Sequence, residues 1–296
     1  MKICVCIPVF NRIEYTLKCL ESLKKQSYRD FNIIVCDHGS TDGTTDKINL
    51  YYPDVIVLNE SSNLWWTGAT NRCVEYVMNI SSSNDNAVVT LNNDLEVDEN
   101  YLFYLVEAAK QHPNAIITSA GYDIRTRNLI ESGHWQSWYT SKVRMLDPDK
   151  DYLLGEQNMA EVTHAPGRGT LIPLKIFREL GLYDEKHLPH YGADYDFTYR
   201  ARRNDYRILI SYDAKVYSHV EATGMTSILK EFSFSSFKRY LTDIKSPANI
   251  SVRWWIAINN CPRLLFPTFF IFDLLFVVGS YFKFHILKKI KSLDVA

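Results

Sequence analysis

The chain has 296 residues, of which 46% are hydrophobic and 23% charged, and its formal net charge is −1. This length suits one large domain or one domain with an extension, and it allows a substantial core. The near-neutral charge argues against a nucleic-acid-binding protein, whose electrostatic footprint would be a strong basic excess.

The six cysteines include no CxxC pair, and Cys4, Cys6 and Cys36 lie inside apolar, strand-like runs. We therefore expect buried free thiols. The apolar run at the N-terminus is too short for a secretory signal and leads directly into sequence typical of a folded domain. These features favour a cytoplasmic location.

The first strand is predicted at Lys2–Pro8, where proline closes an apolar run. Asn11 stands where the N-cap of the next helix is expected, and Glu14 follows three residues later in a variant of the capping box. The helix itself is indicated by apolar residues that recur on one face, at Ile13, Leu17, Leu20 and Leu23.

Three further strands are predicted at Phe31–Cys36, Asp54–Leu58 and Ala87–Leu91, and segments of helical pattern follow them. The last of these helices is expected near Tyr101–Gln111. Strands that alternate with helices predict an α/β fold with a mostly parallel sheet and right-handed crossovers.

The alternation ends after the strand-like run Ala115–Ser119. Tyr122–Tyr152 mixes turn residues with aromatic residues, which predicts an antiparallel or irregular insertion. The later elements are predicted to be short: a helix at Leu174–Leu180 stopped by Gly181, and strands at Arg207–Tyr212 and Lys215–Ser218.

The C-terminal segment Leu264–Phe282 contains nineteen residues with one charge, and lysines follow it. This length can span a bilayer. However, Asp273 lies near its centre, where a carboxylate costs roughly 2.5–3.5 kcal/mol on insertion scales. We therefore expect a helix that lies in the membrane interface, with its lysines toward anionic headgroups. A buried helix that packs on the rest of the protein is the alternative.

Polar side chains follow the predicted strand Ala87–Leu91 directly, at Asn92, Asn93 and Asp94. In open α/β sheets this carboxyl edge is where ligands bind, so a carboxylate there can meet a phosphate through a divalent cation. The alternative is a polar turn that ends the strand.

Several short motifs in this order carry a resemblance to a known family: Pro8-Val9-Phe10-Asn11, Asp37-His38-Gly39-Ser40-Thr41-Asp42-Gly43-Thr44, Leu91-Asn92-Asn93-Asp94, Gly181-Leu182-Tyr183-Asp184-Glu185, Ala193-Asp194-Tyr195-Asp196 and His219. From about Ile3 to His219 the sequence resembles the family 2 glycosyltransferases of the GT-A fold, which are inverting nucleotide-sugar transferases. Within that family it is similar to the rhamnosyltransferase-like type of bacterial surface-polysaccharide enzymes.

The resemblance implies a GT-A catalytic domain at 1–222, with a nucleotide-sugar half at about 1–120 and an acceptor half at about 121–222. A helical, membrane-proximal extension would follow at 223–296. The implied partners are a UDP- or dTDP-sugar, a glycan or polyprenyl-linked acceptor, and the cytoplasmic face of the membrane. No nucleic acid is expected.

The resemblance also implies a binding site for the nucleotide. Pro8, Val9 and the Asp37 carboxylate would hold the base, and Asn63 the nucleoside. The remaining implied contacts to the nucleotide-sugar are Phe10, Asn11, Gly68, Asn71, Asn92 and Asn93. Without the motif, Asp37 would be interpreted as a turn-forming residue.

The implied cofactor is Mn²⁺ or Mg²⁺, bound by Asp94 and His219. Imidazole suits Mn²⁺ better than Mg²⁺. The sequence departs from the family at Asn92 and Ala193, where many members have an aspartate and a glutamate. An amide brings no charge, so this metal site would be less anionic.

Asp194 is the implied catalytic base, which takes the proton of an acceptor hydroxyl as that oxygen displaces the nucleoside diphosphate and inverts the anomeric centre. Asp194 is equally suited to cap a helix, and both roles are compatible. The candidates for sugar or acceptor contacts are Trp65, Trp66 and Arg168, with Gly167 and Gly169 allowing close backbone approach or only a turn.

The sequence argues against two other enzyme classes and leaves one binding function as an alternative. A sugar-nucleotide pyrophosphorylase or a Rossmann oxidoreductase would carry a glycine-rich loop after an early strand, and Ile7-Pro8-Val9-Phe10-Asn11 has no glycine. A catalytically inactive nucleotide- or glycan-binding subunit of a membrane assembly complex is a further alternative, which the substitutions at Asn92 and Ala193 motivate.

Overall fold

The computed structural model describes residues 1–156, 158–222 and 232–293, with side chains up to residue 288 in the last helix. These residues form two compact units, one of 1–135 and 144–222, the other of 136–143 and the described part of 223–296. The second unit thus includes a short segment from inside the predicted catalytic domain. The predicted domain boundaries themselves stay a prediction.

The strands are β1 Ile3–Val9, β2 Phe31–Asp37, β3 Ile56–Asn59, β4 Ala87–Thr90, β5 Leu95–Val97, β6 Ile116–Asp123, β7 Leu129–Glu131, β8 His134–Gln136, β9 Val143–Met145, β10 Met159–Glu161, β11 Thr170–Pro173 and β12 Ile208–Ser218. The helices are α1 Ile13–Lys24, α2 Thr44–Tyr51, α3 Trp65–Ile80, α4 Tyr101–Gln111, α5 Leu174–Leu180, α6 Ala193–Arg203, α7 Phe234–Thr242, α8 Ile250–Asn260 and α9 Phe266–Leu293.

A ten-stranded sheet organises the first unit, in the order β10-β12-β6-β11-β4-β1-β2-β3, with β5 paired to β12 and β7 to β6. Parallel pairing joins β1 to β2 and β4, and β2 to β3, while β11 runs antiparallel to β4 and β6. All seven residues of β1 are buried, as expected for a strand covered on both faces. The α/β fold predicted from the sequence is confirmed.

The parallel register decides where the site lies. Val9 pairs with Asp37 across β1 and β2, and Cys6 pairs with Thr90 across β1 and β4. The motifs that follow these strands therefore meet at one edge of the sheet, the carboxyl edge at which open α/β sheets bind ligands.

The start of α1 differs from the prediction. Arg12, with φ 64°, is the N-cap residue, and its side chain makes no capping hydrogen bond. The Asn11 cap predicted from the sequence is wrong, because Asn11 Oδ1 accepts from the Thr41 N–H at 2.8 Å instead. Asp42 Oδ2 accepts from the Ile13 N–H at 3.0 Å, so a distant loop caps the helix.

The two strands predicted at Arg207–Tyr212 and Lys215–Ser218 are one strand, β12. Its pairing with β6 shifts register between Ser211 and Lys215, so the turn-like residues between them form an irregularity rather than a break. The predicted irregular insertion is confirmed, since 122–152 holds only the end of β6 and the short strands β7, β8 and β9. All six cysteines are buried and free, as expected.

In the second unit, α9 has an unusual distribution of polarity. Its buried stripe has a spacing of four residues and includes polar groups: Phe269, Asp273, Val277, Tyr281 and His285. Its exposed face is apolar: Ile271, Phe272, Leu275, Phe276, Phe282, Phe284, Ile286 and Leu287. By length and composition, Phe266–Lys288 is also long and apolar enough to cross a membrane.

Within the same unit, the negative charge of Asp273 on α9 is paired with a positive charge on α8. Asp273 Oδ1 lies 2.7 Å from Arg253 Nη1 of α8 and accepts from the Ser141 hydroxyl at 3.0 Å. Because this carboxylate is paired and buried, it does not interrupt the exposed apolar face. Trp138 packs on Phe269 with a ring-centroid distance of 4.8 Å, which joins 136–143 to this helix.

Candidate active site

The segment after β1 and the loop after β2 hold each other. The Asn11 N–H donates to Ser40 Oγ at 2.7 Å, while the Asn11 side chain accepts from the Thr41 N–H. Together with the bond from Ile13 to Asp42, these contacts fix both motifs at the carboxyl edge. Asn11 is thus a loop-positioning residue in the protein without ligand.

Asp37 ends β2 and is 4% exposed. Its Oδ1 accepts from the Ser40 N–H at 2.8 Å and its Oδ2 from the Thr45 hydroxyl at 2.6 Å. It therefore shapes the turn, which was the alternative interpretation. It also lines a cleft of about 470 Å³ with Ser40, Thr45 and Asn59, so a remaining lone pair can meet a base from that cleft.

An aromatic surface lies beside this cleft. Pro8 and Val9 are buried in β1, but Phe10 is 46% exposed and stacks on His38 at 5.2 Å between centroids. The His38 Nδ1 atom is buried and has no hydrogen-bond partner among the described residues. Burial lowers the pKa of His38, so this imidazole is neutral at pH 7. His38 carried no role in the sequence prediction.

The predicted contacts around α3 lie in different environments. Asn63 is exposed in a 3₁₀ turn at Ser62–Leu64, whereas Gly68 and Asn71 are buried. Asn71 Nδ2 donates to the Tyr183 carbonyl and to Glu185 Oε2, both at 3.0 Å, and its Oδ1 accepts from the Tyr183 N–H at 3.1 Å. The structure therefore uses this amide to hold the Gly181–Glu185 motif rather than to face a ligand.

Trp66 connects the two halves of the site. Its indole N–H donates to Asn92 Oδ1 at 2.9 Å, and its ring lies against Tyr183 at 5.7 Å. A Cβ on Gly167 would lie 2.3 Å from this ring, so only glycine allows the approach. The predicted contacts Trp66, Asn92 and Gly167 are thus brought together by direct packing.

The positions of Trp65 and Gly169 are explained by local packing and turn geometry. Trp65 adopts φ 53° and packs against His190 at 5.5 Å. Gly169 adopts φ 82°, and a Cβ there would lie 2.8 Å from a methyl of Val216. Its N–H donates to the Thr90 carbonyl at 2.8 Å, so Gly169 is explained by a tight turn next to β4.

Asp194 lies in the first turn of α6 and is half-buried. Gly192, with φ 85°, takes the N-cap position, so the helix-cap role predicted for Asp194 is wrong. Its Oδ2 accepts from the Gly167 N–H at 2.7 Å and its Oδ1 from the Tyr195 N–H at 2.9 Å. Burial raises the pKa of Asp194, and these two N–H groups and the charge of Arg168 oppose the shift. A fixed carboxylate with a raised pKa is suited to proton transfer.

Asp94 and His219 are adjacent, since the His219 N–H donates to the Asp94 carbonyl at 3.1 Å. Burial raises the pKa of Asp94, while the charges of Arg12, Arg168 and His219 lower it. His219 Nε2 lies 2.9 Å from Glu96 Oε1. Asn93 is directed elsewhere, for its Nδ2 donates to Thr16 Oγ1 at 3.0 Å.

Carboxylate and imidazole are suitable donors for Mn²⁺, so Asp94 and His219 fit this cation by donor type. Within the part of the chain that the structure describes, no three His, Cys, Asp or Glu side chains are grouped to hold a metal by themselves. A cation at Asp94 and His219 would need further oxygen ligands, which amide side chains, backbone carbonyls or substrate phosphates can supply.

Two residues link the two carboxylates. The charge of Arg168 lowers the pKa of both Asp94 and Asp194. The pKa of Tyr191 is raised mainly by burial, and the charges of Asp94 and Asp194 raise it as well. The guanidinium and the phenol therefore lie within electrostatic range of both. Tyr191 was not predicted as a site residue, since a single tyrosine in a loop gives no pattern.

Arg168 is positioned by a buried acid that the sequence did not indicate. Its Nη2 lies 3.2 Å from Oε2 of Glu131, whose Oε1 lies 3.0 Å from both the Gly133 N–H and His134 Nδ1. Glu131 is 4% exposed. Burial alone would raise its pKa, but the contacts with His134 and Arg168 outweigh burial and keep the pKa below the ordinary value. It is therefore an ionised partner for Arg168.

The family model for "Glycosyl transferase family 2" matches residues 4–180, more than half of the chain. The chain belongs to glycosyltransferase family 2. The family match includes the segments around Asp37, Asp94 and Arg168, and it ends before Asp194 and His219. The rhamnosyltransferase-like subtype stays a prediction.

Relatives of this chain include a poly(ribitol-phosphate) glucosyltransferase and uncharacterised glycosyltransferases. A poly(ribitol-phosphate) beta-glucosyltransferase of Bacillus spizizenii is 23% identical over 223 residues, which are 72% of this chain and 34% of that protein. An uncharacterised glycosyltransferase of Rickettsia prowazekii is 25% identical over 249 residues, which are 80% of this chain and 72% of that protein. The chain thus spans about a third of the length of the Bacillus relative.

Solved structures show the same fold. TarS 1–349 of S. aureus superposes with a TM-score of 0.58 at 15% identity, covering 96% of this chain and 92% of that chain. GalNAc-T7, crystallised with UDP, GalNAc and Mn²⁺, gives a TM-score of 0.60 at 17% identity, covering 73% of this chain and 43% of that chain. These similarities confirm the GT-A-like fold of this family 2 glycosyltransferase.

Proposed function

We propose that this family 2 glycosyltransferase moves a sugar from a UDP- or dTDP-sugar to a hydroxyl of a glycan or lipid-linked acceptor, with inversion at the anomeric carbon. The observation that carries the proposal is that the motifs of Asp94 and Asp194 meet at Trp66, which donates to Asn92 and lies against Gly167, whose N–H donates to Asp194. Both aspartates are near Arg168 and Tyr191, and they come from motifs a hundred residues apart. We assign Asp94 to the leaving group and Asp194 to the nucleophile.

The nucleotide would bind at the carboxyl ends of β1 and β2. Phe10 offers an exposed ring for stacking, and Asp37 offers an acceptor for a base N–H in a buried position. The cleft beside Asp37, Ser40 and Thr45 has hydroxyl groups that suit a ribose.

Asp94 and His219 would hold Mn²⁺ or Mg²⁺, with oxygens of the diphosphate completing the coordination. When bound, such a cation stabilises the negative charge that develops on the departing diphosphate. Glu96 at 2.9 Å orients the His219 ring by accepting from Nε2. Asn92 contributes no charge here and is occupied by the Trp66 indole.

Asp194 would remove the proton of the acceptor hydroxyl as that oxygen attacks the anomeric carbon. The Gly167 and Tyr195 N–H groups fix the two carboxylate oxygens, so the side chain needs little reorientation before it acts. One displacement on the face opposite the diphosphate inverts the anomeric centre.

The acceptor is proposed to be at a membrane surface, as in bacterial surface-polysaccharide synthesis. In the second unit, α9 exposes isoleucine, leucine and phenylalanine side chains while it buries Asp273 against Arg253. A helix whose outer face is apolar and whose charge is turned inward suits contact with lipid rather than water. The exposed Lys283 and Lys288 would meet anionic headgroups on the cytoplasmic face.

A panel of UDP- and dTDP-sugars tests the proposal by release of nucleoside diphosphate in the presence of Mn²⁺. We expect turnover with one class of donor, and Asp94→Ala should weaken both donor binding and the response to Mn²⁺. If the protein binds a nucleotide but neither hydrolyses nor transfers any sugar, the chain is a binding subunit instead. If donor binding is unaffected by Asp94→Ala and by EDTA, the metal role of Asp94 is wrong.

A further inference from the structure

A partly exposed guanidinium group, that of Arg12, lies beside Asp94. Arg12 Nη1 is 4.0 Å from Asp94 Oδ2. The Arg12 side chain is 47% exposed, while that of Asp94 is 13% exposed. The cation is therefore accessible to a ligand that reaches Asp94 from the solvent, although the sequence gave Arg12 no role.

The backbone conformation at this position is costly. Asn11 and Arg12 have φ values of 57° and 64°, two consecutive residues in the left-handed region. Side chains other than glycine rarely adopt this conformation, and such strain is maintained only where the surroundings enforce it. Here the bonds from Asn11 to Ser40 and Thr41 enforce it on one side, and the Ile13 bond to Asp42 on the other.

We propose that Arg12 binds the diphosphate of the donor. The guanidinium presents a planar fork of N–H donors that matches phosphate oxygens, and a charge-assisted bond of this kind is stronger than a neutral one. Arg12 also immediately precedes α1, whose N-terminus favours negative charge. In the ligand-free protein the guanidinium pairs with Asp94, and donor binding moves it to the phosphate.

Arg12 compensates for the carboxylate that is missing at Asn92, where many members of the family have an aspartate. Asn92 supplies no carboxylate, so the site attracts a divalent cation less strongly than a site with two aspartates. A protein guanidinium next to Asp94 adds positive charge at the same place. This inference rests on the proposed function, because it requires a nucleoside diphosphate in the cleft.

Arg12→Gly is the informative variant, since glycine accepts φ 64° without strain and the substitution removes the guanidinium with its side chain. Arg127→Gly is the matched control. Arg127 also has a positive φ, 60°, and its guanidinium lies over the ring of Tyr217 at 4.3 Å. Both variants should unfold at or above the melting temperature of the wild type.

Calorimetric titration with UDP, dTDP, uridine and thymidine, in EDTA and in Mn²⁺, tests the inference. We expect Arg12→Gly to weaken diphosphate binding in EDTA by about tenfold to a hundredfold, the effect of losing one hydrogen bond to a charged group. Nucleoside binding should not change, and Arg127→Gly should match the wild type throughout.

Two results would overturn the inference. Diphosphate affinity within twofold of the wild type would show that Arg12 does not contact the phosphates. Equal losses for diphosphates and nucleosides would show that Arg12 only maintains the turn. If the wild type binds neither UDP nor dTDP, the proposed function fails, and the inference fails with it.

Discussion

At the scale of single residues, the site depends on partly or fully buried carboxylates that serve different purposes. Asp37 and Asp42 accept hydrogen bonds within the loop after β2 and hold it in place. Asp94 and Asp194 are raised in pKa by burial, which is typical of groups that take part in chemistry. Residue type alone does not distinguish these two uses, because each aspartate follows a strand or begins a helix.

Asp194→Asn should abolish transfer and leave donor affinity nearly unchanged, because a base acts on the acceptor. The folded protein also holds a proton on Asp194 more readily than the unfolded chain, so the charged carboxylate reduces stability at neutral pH. The asparagine variant removes this charge but keeps only one acceptor oxygen for the Gly167 and Tyr195 N–H groups. These two effects oppose each other, so we expect the melting temperature, measured by circular dichroism, to change little. Transfer at the wild-type rate by the folded variant would exclude Asp194 as the base.

The rate of transfer should rise with pH through the pKa of Asp194, which lies above the ordinary value of 3.8. Only the ionised carboxylate accepts the acceptor's proton, so activity is lost as pH falls through that pKa. A pH–rate profile of the wild type measures this. Activity that does not change between pH 4 and pH 7 would exclude Asp194 as the base.

Asn71→Ala should destabilise the protein by about 1–3 kcal/mol, since it leaves the buried N–H of Tyr183 without its partner and removes the Nδ2 bonds to the Tyr183 carbonyl and to Glu185. Urea unfolding measures this loss. Nucleotide affinity, determined below the unfolding midpoint, should stay within a few-fold of the wild type. A large loss of affinity with unchanged stability would support the family-based ligand role of Asn71 instead.

At the scale of elements, sequence periodicity predicted the core well and the connections poorly. The buried strands β1, β2 and β4 have continuous apolar runs, so their positions could be inferred from the sequence. The cap of α1 could not, because the Ile13 N–H donates to Asp42, 29 residues further along the chain in a loop. Arg168 was predicted as a site residue, but its partner Glu131 was not, since the pairing depends on tertiary contacts.

Asp42→Ala tests this cap from a distance. It removes the acceptor of the Ile13 N–H and of the Thr44 hydroxyl, so we expect a loss of about 1–2 kcal/mol in urea unfolding. Burial alone would raise the pKa of Asp42, but the hydrogen bonds from Thr44 and Ile13 outweigh it, so the pKa lies below the ordinary value of 3.8. The ionised carboxylate therefore stabilises the fold above pH 3.8, and this stabilisation is lost as the pH falls through the lowered pKa. Equal stability of variant and wild type at pH 7 would contradict the cap.

At the scale of the whole molecule, the chain combines a GT-A-like unit with a helical unit whose outer surface is apolar. The hydropathy of Leu264–Phe282 predicted an apolar helix, but not which way Asp273 points. The pairing with Arg253 depends on where α8 lies, and this information is absent from local sequence. Each unit has an apolar cluster of its own, and the second also contains the ion pair of Arg253 with Asp273.

Membrane association is tested by replacing Phe272, Leu275 and Phe276 together with serine. These side chains are 45%, 62% and 45% exposed, so their loss should leave the fold intact and reduce co-flotation with vesicles that contain anionic lipid. Leu50→Ser is the control, because Leu50 is 70% exposed on the first unit. Wild-type protein that ignores these vesicles, and is soluble without detergent, would contradict the interface role of α9.

The central claim is that one cleft holds a leaving-group carboxylate, Asp94, and an acceptor-side base, Asp194. The most direct measurement compares Asp94→Ala and Asp194→Asn in two assays, donor affinity by calorimetry and sugar transfer by product analysis. We predict that both variants lose transfer and that only Asp94→Ala loses donor affinity, with the wild-type product inverted at the anomeric carbon. Transfer by Asp194→Asn at the wild-type rate, or a product that retains configuration, would contradict the claim.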